Sequence, residues 1–433
     1  MNIYIIIEMK DREFLSRLLT GAESALNGND VYIGDKEISG LILQNKLKPG
    51  IIFLKSITPN TRRLLQLKHY KNKEFIVTSI DEEGGLVHIS FKDFVQRRYS
   101  AKTLSYTDTV FCFGEFDYKN YKKIFVKYKE KFLLSGNPRF DLLNNKIANN
   151  FVEKQNSNKI KIVIISSFTI FGRKIPVSDH FLINDEFHED YYYDTFAHRA
   201  VMSVNYIKLL KKIISNFPNI EIDIWLHPVE SINNWKKALP NNKNIKFTTG
   251  TKFLTKNKKD KTIFIHSGSG LAFNAILQEK IVISYQPINS KWNNTHPNNN
   301  SIIMKSDREI IEFIKKKKFK KIKINKKKLQ NCHKIISNSK TYDASFKIAS
   351  HWEKFKNQKL SQKNDFLKLT IKNKLKFVKQ KLNLSVENKK FSPITSMELK
   401  KYKNILIKTN PKFKMLNFSL IGPRLINIKK NNI

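Results

Sequence analysis

The chain has 433 residues, 40% hydrophobic and 12% aromatic, enough apolar material for more than one sizeable core, which excludes a fully disordered polymer. Eighty Lys and Arg against 37 Asp and Glu give a formal net charge of +43, and the two cysteines, Cys112 and Cys332, exclude a disulfide framework and a cysteine-rich zinc cluster. No run approaches the 18 or so apolar residues of a membrane span, and the opening Met1-Asn2-Ile3-Tyr4-Ile5-Ile6-Ile7-Glu8 meets an acid too soon for a signal peptide, so a reducing cytoplasm is the expected compartment. A strand signal over 2–7 is followed by a helical stripe, Phe14, Leu15, Leu18, Leu19, Ala22, Ala25 and Leu26. Gly28-Asn29-Asp30 closes that helix and Val31-Tyr32-Ile33 opens a second strand, a βαβ unit that favours a parallel sheet. Short apolar runs at 50–55, 74–80, 109–113 and 131–135 continue the series, and an Asn/Lys-rich linker is expected near 144–159. A second alternating series then places strands at 161–166, 221–226, 244–247, 261–266 and 280–285, with helices at about 194–217, 271–278 and 307–317. The expected fold class is α/β: two Rossmann-like domains with parallel sheets, over 1–150 and 151–352, and a Lys-rich C-terminal extension over 353–433.

The charge calls for care. Lysine outnumbers arginine 69 to 11, and Ile and Asn are frequent. That skew is what an AT-rich genome imposes, and a sequence-specific nucleic-acid reader draws on more arginine for bidentate contacts. Compositional drift therefore accounts for the charge over most of the chain, and no specific nucleic-acid partner is expected. From His351 onward 21 basic residues face 4 acidic ones. Such a polybasic end either is solvated or holds a protein against anionic lipid or an anionic polymer.

Ligands of open α/β sheets sit outside the carboxyl ends of the strands, so those ends carry the candidate chemistry. Ile80-Asp81-Glu82-Glu83-Gly84-Gly85 puts three acids and two glycines after a strand. Mutual repulsion in such a run raises a carboxylate pKa and suits a general base; a solvated acidic turn is the plain alternative. Ile224-Trp225-Leu226-His227-Pro228-Val229-Glu230 runs a strand into a His-Pro turn, where proline favours an extended backbone at His227 and the imidazole can donate to a phosphate oxygen. Phe264-Ile265-His266-Ser267-Gly268-Ser269-Gly270-Leu271 is a small-residue turn between strand and helix, suited to an anion through backbone N–H groups and the Ser267 and Ser269 hydroxyls. Ser135-Gly136-Asn137-Pro138-Arg139-Phe140-Asp141 either shapes a hinge or is structural. Glu8, Lys10 and Arg12 either touch an acceptor or belong to a solvated loop.

Together with Ile7-Glu8-Met9-Lys10-Asp11-Arg12-Glu13 and Phe113-Gly114-Glu115-Phe116-Asp117, these runs resemble the bacterial surface carbohydrate biosynthesis proteins, over about 1–352. That resemblance implies a GT-B-like fold with the active site between two Rossmann-like domains. The motifs are also similar to those of bacterial sialyltransferases and polysialyltransferases. Glu82-Glu83-Gly84 matches their acid-acid-glycine motif, which makes Glu82 the implied base, with Glu83 beside it. His227-Pro228 matches the His-Pro motif that contacts the phosphate of a CMP-sugar. Ser267, Gly268, Ser269 and Gly270 stand where the serine motif falls, with a glycine separating the two serines.

The implied activity is glycosyl transfer from a nucleotide-sugar donor, CMP-activated for preference, to a glycan or lipid-linked acceptor, with Asn137 and the Glu8–Lys10–Arg12 stretch near the acceptor. The scheme needs neither metal nor organic cofactor. Two other classes stay open: a GT-B relative such as a CDP-polyol phosphotransferase or nucleotide-sugar epimerase, and a non-enzymatic polyanion-binding protein. The basic tail adds the expectation of peripheral docking on the inner face of the cytoplasmic membrane.

Overall fold

The structure, a computed structural model, describes residues 1–84, 91–151, 160–167, 189–227, 230–249, 262–317, 325–358 and 391–431. It divides into two compact units, one of Met1–Gly85, Lys92–Val152 and His333–Ile433, the other of Leu86–Phe91 and Glu153–Cys332. In chain order the strands are β1 (Asn2–Ile6), β2 (Asp30–Gly34), β3 (Ile51–Leu54), β4 (Ile76–Ile80), β5 (Thr109–Cys112), β6 (Phe132–Leu134), β7 (Lys161–Ile165), β8 (Glu221–Trp225), β9 (Ile245–Thr248), β10 (Thr262–His266), β11 (Ile281–Tyr285), β12 (Ile302–Met304), β13 (Leu416–Gly422) and β14 (Leu425–Lys430).

The first unit carries an eight-stranded sheet in the order β13-β14-β2-β1-β3-β4-β5-β6. From β2 to β6 every pairing is parallel, as the βαβ pattern requires. Every residue of β3 and β4 is buried, because both faces of these strands are covered; β3 is apolar throughout, and β4 buries Thr78 and Ser79 among its apolar residues. The helix Lys10–Leu26 buries its apolar stripe and also much of its polar face, Glu13, Ser16, Arg17, Thr20 and Ser24. Residues from the far end of the chain cover that second face. Thr20 donates to Ser345 (3.2 Å), and on the apolar stripe Phe14 too meets a C-terminal residue, Tyr402, edge-on with centroids 5.6 Å apart.

Here the fold departs from the expected division. The stretch His333–Trp352 packs in the first unit, not in the second domain. Trp352 is fully buried, its ring 5.2 Å from that of Phe53 and its indole N–H donating to Thr78 (3.3 Å). Asp141 receives the Ala344 and Ser345 amides at the start of the helix Ala344–Trp352 (3.1 and 2.7 Å). Residues 391–431 are likewise folded and not a loose basic extension. They form the helix Ser396–Thr409 and the β13–β14 hairpin, and β14 pairs antiparallel with β2, Ile428 opposite Val31. Phe391, Ile394, Leu399, Leu406, Phe413, Leu416, Ile426 and Ile428 are buried between lysines whose stems run to the surface. The Lys-rich residues 359–390 lie outside the described residues.

The second unit has six parallel strands in the order β12-β11-β10-β7-β8-β9, the arrangement of a dinucleotide-binding sheet. Its core gathers Ile162, Ile164, Ile222, Ile224, Ile263 and Ile265 from the strands with Tyr206, Leu209, Leu210 and Ile213 from the helix Glu189–Asn216. Among the described residues no helix is long and apolar enough to cross a membrane.

Because β14 closes the β2 edge with a fully buried Ile428, the substitution Ile428→Ala is expected to cost about 2–5 kcal/mol in urea unfolding of the first unit. An unchanged midpoint would mean that the C-terminal hairpin is not part of the cooperative fold.

Candidate functional site

In the first unit the strand order reverses between β1 and β3, and a parallel sheet opens a crevice at such a point, outside the strand carboxyl ends. Glu8 lies just beyond β1, Lys55 directly follows β3, Asp81–Glu83 follow β4 and Asn137 lies three residues past β6. Glu8 and Lys55 form an ion pair across these ends. Glu82 is almost fully buried and ion-paired to Arg17, which comes from the middle of the helix Lys10–Leu26 and is itself buried. The Arg17 guanidinium lies over the Phe53 ring, 4.2 Å from its centroid. Asn137 Nδ2 donates to the other Glu82 oxygen (3.4 Å), while Asn137 Oδ1 caps the turn that carries Arg139.

The electrostatics reverse the expectation from the acidic run. Burial by itself pushes the Glu82 carboxyl up, but Arg17, Arg139 and Arg12, with the Asn137 hydrogen bond, hold it below its ordinary value. Glu13, packed beside it, goes the other way: burial raises it, and the neighbouring Glu82 charge adds to the rise against Arg12 and Arg17. Glu13 accepts from the Glu8 amide and from Arg12, both at 2.9 Å. Asp81 is held by a two-point contact from Arg98 (2.5 and 2.6 Å) and accepts the Glu83 amide (2.9 Å), which fixes the loop. Glu83 is the exposed acid of the three, 3.5 Å from Arg98. Gly85 lies outside the described residues.

Arg12 thus belongs to this cluster. Lys10 does not: its ammonium is buried against Glu398 (2.6 Å), the Pro393 carbonyl (3.0 Å) and Ser392 (3.4 Å), tying down the C-terminal segment. It is neither in a solvated loop nor directed at an acceptor. The Ser135–Asp141 run is structural in its anchoring. Gly136 has φ +81°, and a Cβ there would stand 2.3 Å from Asn338 Oδ1. Asn338 also receives the Asn137 amide (3.1 Å) and donates to Asp141 (2.6 Å).

In the second unit the order reverses between β7 and β10, and the loops beyond these two strands meet. Ser167 donates to the Ser267 carbonyl (3.2 Å). Gly268 has φ +75°, and its N–H donates to Asn298 Oδ1 (2.7 Å), an oxygen that also receives Ser284 (2.8 Å). The Gly268 amide is therefore committed to the protein, and the half-buried Ser267 and Ser269 carry the polar face of the turn with Gly270. The helix that follows, Ala272–Leu277, has only six residues, a weaker dipole than expected. His227 stands half-buried two residues past β8, and its carbonyl accepts the Glu230 amide (2.9 Å). Buried Glu230 draws in Ser166 (2.6 and 2.7 Å) and the Trp235 indole (3.0 Å), bracing the turn. Pro228 lies outside the described residues.

Arg17, Arg98 and Asn298 were not noticed in the sequence, and Arg139 and Glu13 stood in quoted runs without being given a role. One signal could have found some of the arginines: where lysine outnumbers arginine 69 to 11, an arginine is a candidate for a place that uses a planar fork, as Arg98 does on Asp81. Among the described residues no group of three His, Cys, Asp or Glu side chains is placed to hold a metal ion.

His266, at the end of β10, is fully buried with Nε2 2.8 Å from Ser301, and burial lowers its pKa to about 3. The unfolded chain takes up that proton first, so the associated stability is complete above about pH 6.5 and falls as pH drops toward 3. His266→Gln is expected to flatten the acid-side decline in urea stability by up to about 1.4 kcal/mol per pH unit. An unchanged slope between pH 6 and 4 would contradict a neutral buried imidazole.

No protein-family model and no curated protein matches the chain. Among solved structures it is similar to the S. aureus MnaA–UDP co-structure, with 10% identity over 84% of this chain and 99% of that one and a TM-score of 0.50. It is also similar to the UDP-GlcNAc 2-epimerase from Neisseria meningitidis bound to UDP-GlcNAc (12% identity, 82% and 100% covered, TM-score 0.47) and to the wall teichoic acid polymerase TagF (11%, 82% and 88%, 0.48). With the parallel β2–β6 series of the first sheet and the all-parallel second sheet, the likeness to MnaA shows the α/β, GT-B-like fold that the sequence led us to expect.

Proposed function

We propose that this chain is a nucleotide-sugar-dependent glycosyltransferase of surface-polysaccharide assembly, using a CMP-activated acidic sugar for preference and a glycan or lipid-linked acceptor. The observation that carries this reading is the placing of two different polar clusters at the two switch points. A hydrogen-bonded carboxylate follows β4 in the first unit, and in the second a serine turn follows β10 and a half-buried histidine follows β8, on the two strands that flank β7. The proposal assigns the acceptor to the first unit and the nucleotide to the second.

Glu82 then takes the acceptor hydroxyl proton. Its lowered pKa suits a late transfer, when the forming glycosidic bond has made that hydroxyl acidic, and keeps the base ionised into mildly acidic solution. His227 with the Ser267 and Ser269 hydroxyls stabilises the charge on the departing phosphate, and Glu230 keeps the histidine turn in place. Asp81 and Arg98 fix the loop so that Glu82 faces inward, with Glu83 at the rim. A place at the inner membrane face belongs to the proposal through a lipid-linked acceptor. A second reading, an enzyme that remodels or transfers a UDP-activated sugar, draws on the likeness to the MnaA structure, which carries UDP.

A thermal-shift screen with CMP, CDP, UMP, UDP and GDP tests both. The first reading expects CMP to add about 2.7 kcal/mol at 100 times its Kd, with the gain lost in His227→Ala. Glu82→Gln is expected to keep nucleotide binding and lower donor turnover by about 10²–10⁴-fold. Preference for UDP would replace the first reading with the second. No response to any nucleotide would overturn both in favour of a polyanion-binding protein.

A further inference from the structure

Around Glu82 the number of buried hydrogen-bond donors exceeds what the protein's own acceptors use. Arg17, almost fully buried, gives Nη2 to Glu82, yet its Nε and Nη1 have no hydrogen-bond partner. Arg139 and Arg12 each leave a buried Nε without one. Native interiors rarely leave such groups unmet, because an unpaired buried donor forfeits the hydrogen bonds it made to water. Charge does not explain the surplus: Arg12, Arg17, Arg98 and Arg139 are matched in number by Glu13, Asp81, Glu82 and Glu83. What is left over is directional donors. Arg17 is held with its guanidinium carbon 4.2 Å from the centroid of the Phe53 ring, and Arg12 and Arg139 are partly exposed.

We propose that Arg12, Arg17 and Arg139 form an oxyanion site in the first unit that holds a carboxylate or phosphate group of the acceptor beside Glu82. A hydroxyl oxygen offers too few lone pairs for several forks, whereas a carboxylate or phosphate accepts in-plane pairs from more than one guanidinium. The surroundings suit an incoming anion: Arg17 is buried and Arg12 and Arg139 are only partly exposed, so little water competes for the N–H groups that lack a partner. The inference rests on the transferase reading and deepens it, because it makes the acceptor an acidic glycan or a phosphate-bearing chain end.

The test is calorimetric titration of the full chain at 0.15 M NaCl, which screens the lysine surface, with inorganic phosphate and separately with acetate. One saturable site for at least one probe is expected, weakened about tenfold or more in Arg139→Gln, which breaks no ion pair, and unchanged in Lys119→Gln on the surface. The probe that binds tells phosphate from carboxylate. Absence of saturable binding by either probe, or equal affinity in Arg139→Gln, overturns the site, as does loss on Ser269→Ala instead. The nucleotide screen run on the same variants keeps the two ideas apart. Arg139→Gln should retain any nucleotide stabilisation, and failure of every nucleotide with the anion site intact would remove the transferase reading alone.

Discussion

The buried pair between Arg17 and Glu82 is the constraint around which the first unit is arranged. A carboxylate taken out of water is tolerated only when it is paired and hydrogen-bonded, and here the pairing comes from the middle of a helix that would otherwise present a polar face to solvent. That helix can bury Arg17 because Phe53 accepts the guanidinium on its face and because the C-terminal segments seal the outer side. The loop carrying Glu82 is fixed in turn by Asp81 and Arg98, and Asn137 reaches the same carboxylate from a turn that docks on Asn338. Fold and candidate chemistry are therefore one network: the segments that complete the sheet also hold the acid in place.

The second unit solves a different problem with different groups. Its strand ends carry hydroxyls and amides beyond β7 and β10 and a half-buried histidine beyond β8, with buried Glu230 and Asn298 bracing the two turns. The Gly268 amide is committed to Asn298, and the Ser267 and Ser269 side chains beside it are half-buried. Where the first unit concentrates formal charge, the second offers neutral hydroxyl and amide groups.

Much of this was legible in the sequence, for identifiable reasons. The parallel strands are short apolar runs bounded by turn residues, so β1, β3, β4, β5, β7, β8, β10 and β11 stand within a residue or two of where the pattern puts them. The strand-end motifs Glu82, His227 and Ser267–Gly270 follow from the rule that ligands gather there. β13 and β14 escaped notice because their apolar residues, among them Leu416, Ile426 and Ile428, are diluted by Lys and Asn and acquire meaning only when β2 offers an edge. Arg17 was hidden for a similar reason: on the helix it is one polar residue beside an apolar stripe, and its partner lies 65 residues away. The pKa of Glu82 was misjudged in sign because neighbouring acids are visible in sequence, whereas the arginines that outweigh them arrive from elsewhere.

The central claim, that Arg17 and Glu82 form one buried unit, is tested most directly by a double-mutant cycle on stability with Arg17→Met, Glu82→Gln and the pair. Each single change strands a buried polar partner and should cost about 3–5 kcal/mol, while the double change should cost less than the sum by an amount on the order of 2–3 kcal/mol. Strict additivity would show that the two side chains do not depend on each other, and the account of the site would fall with that result.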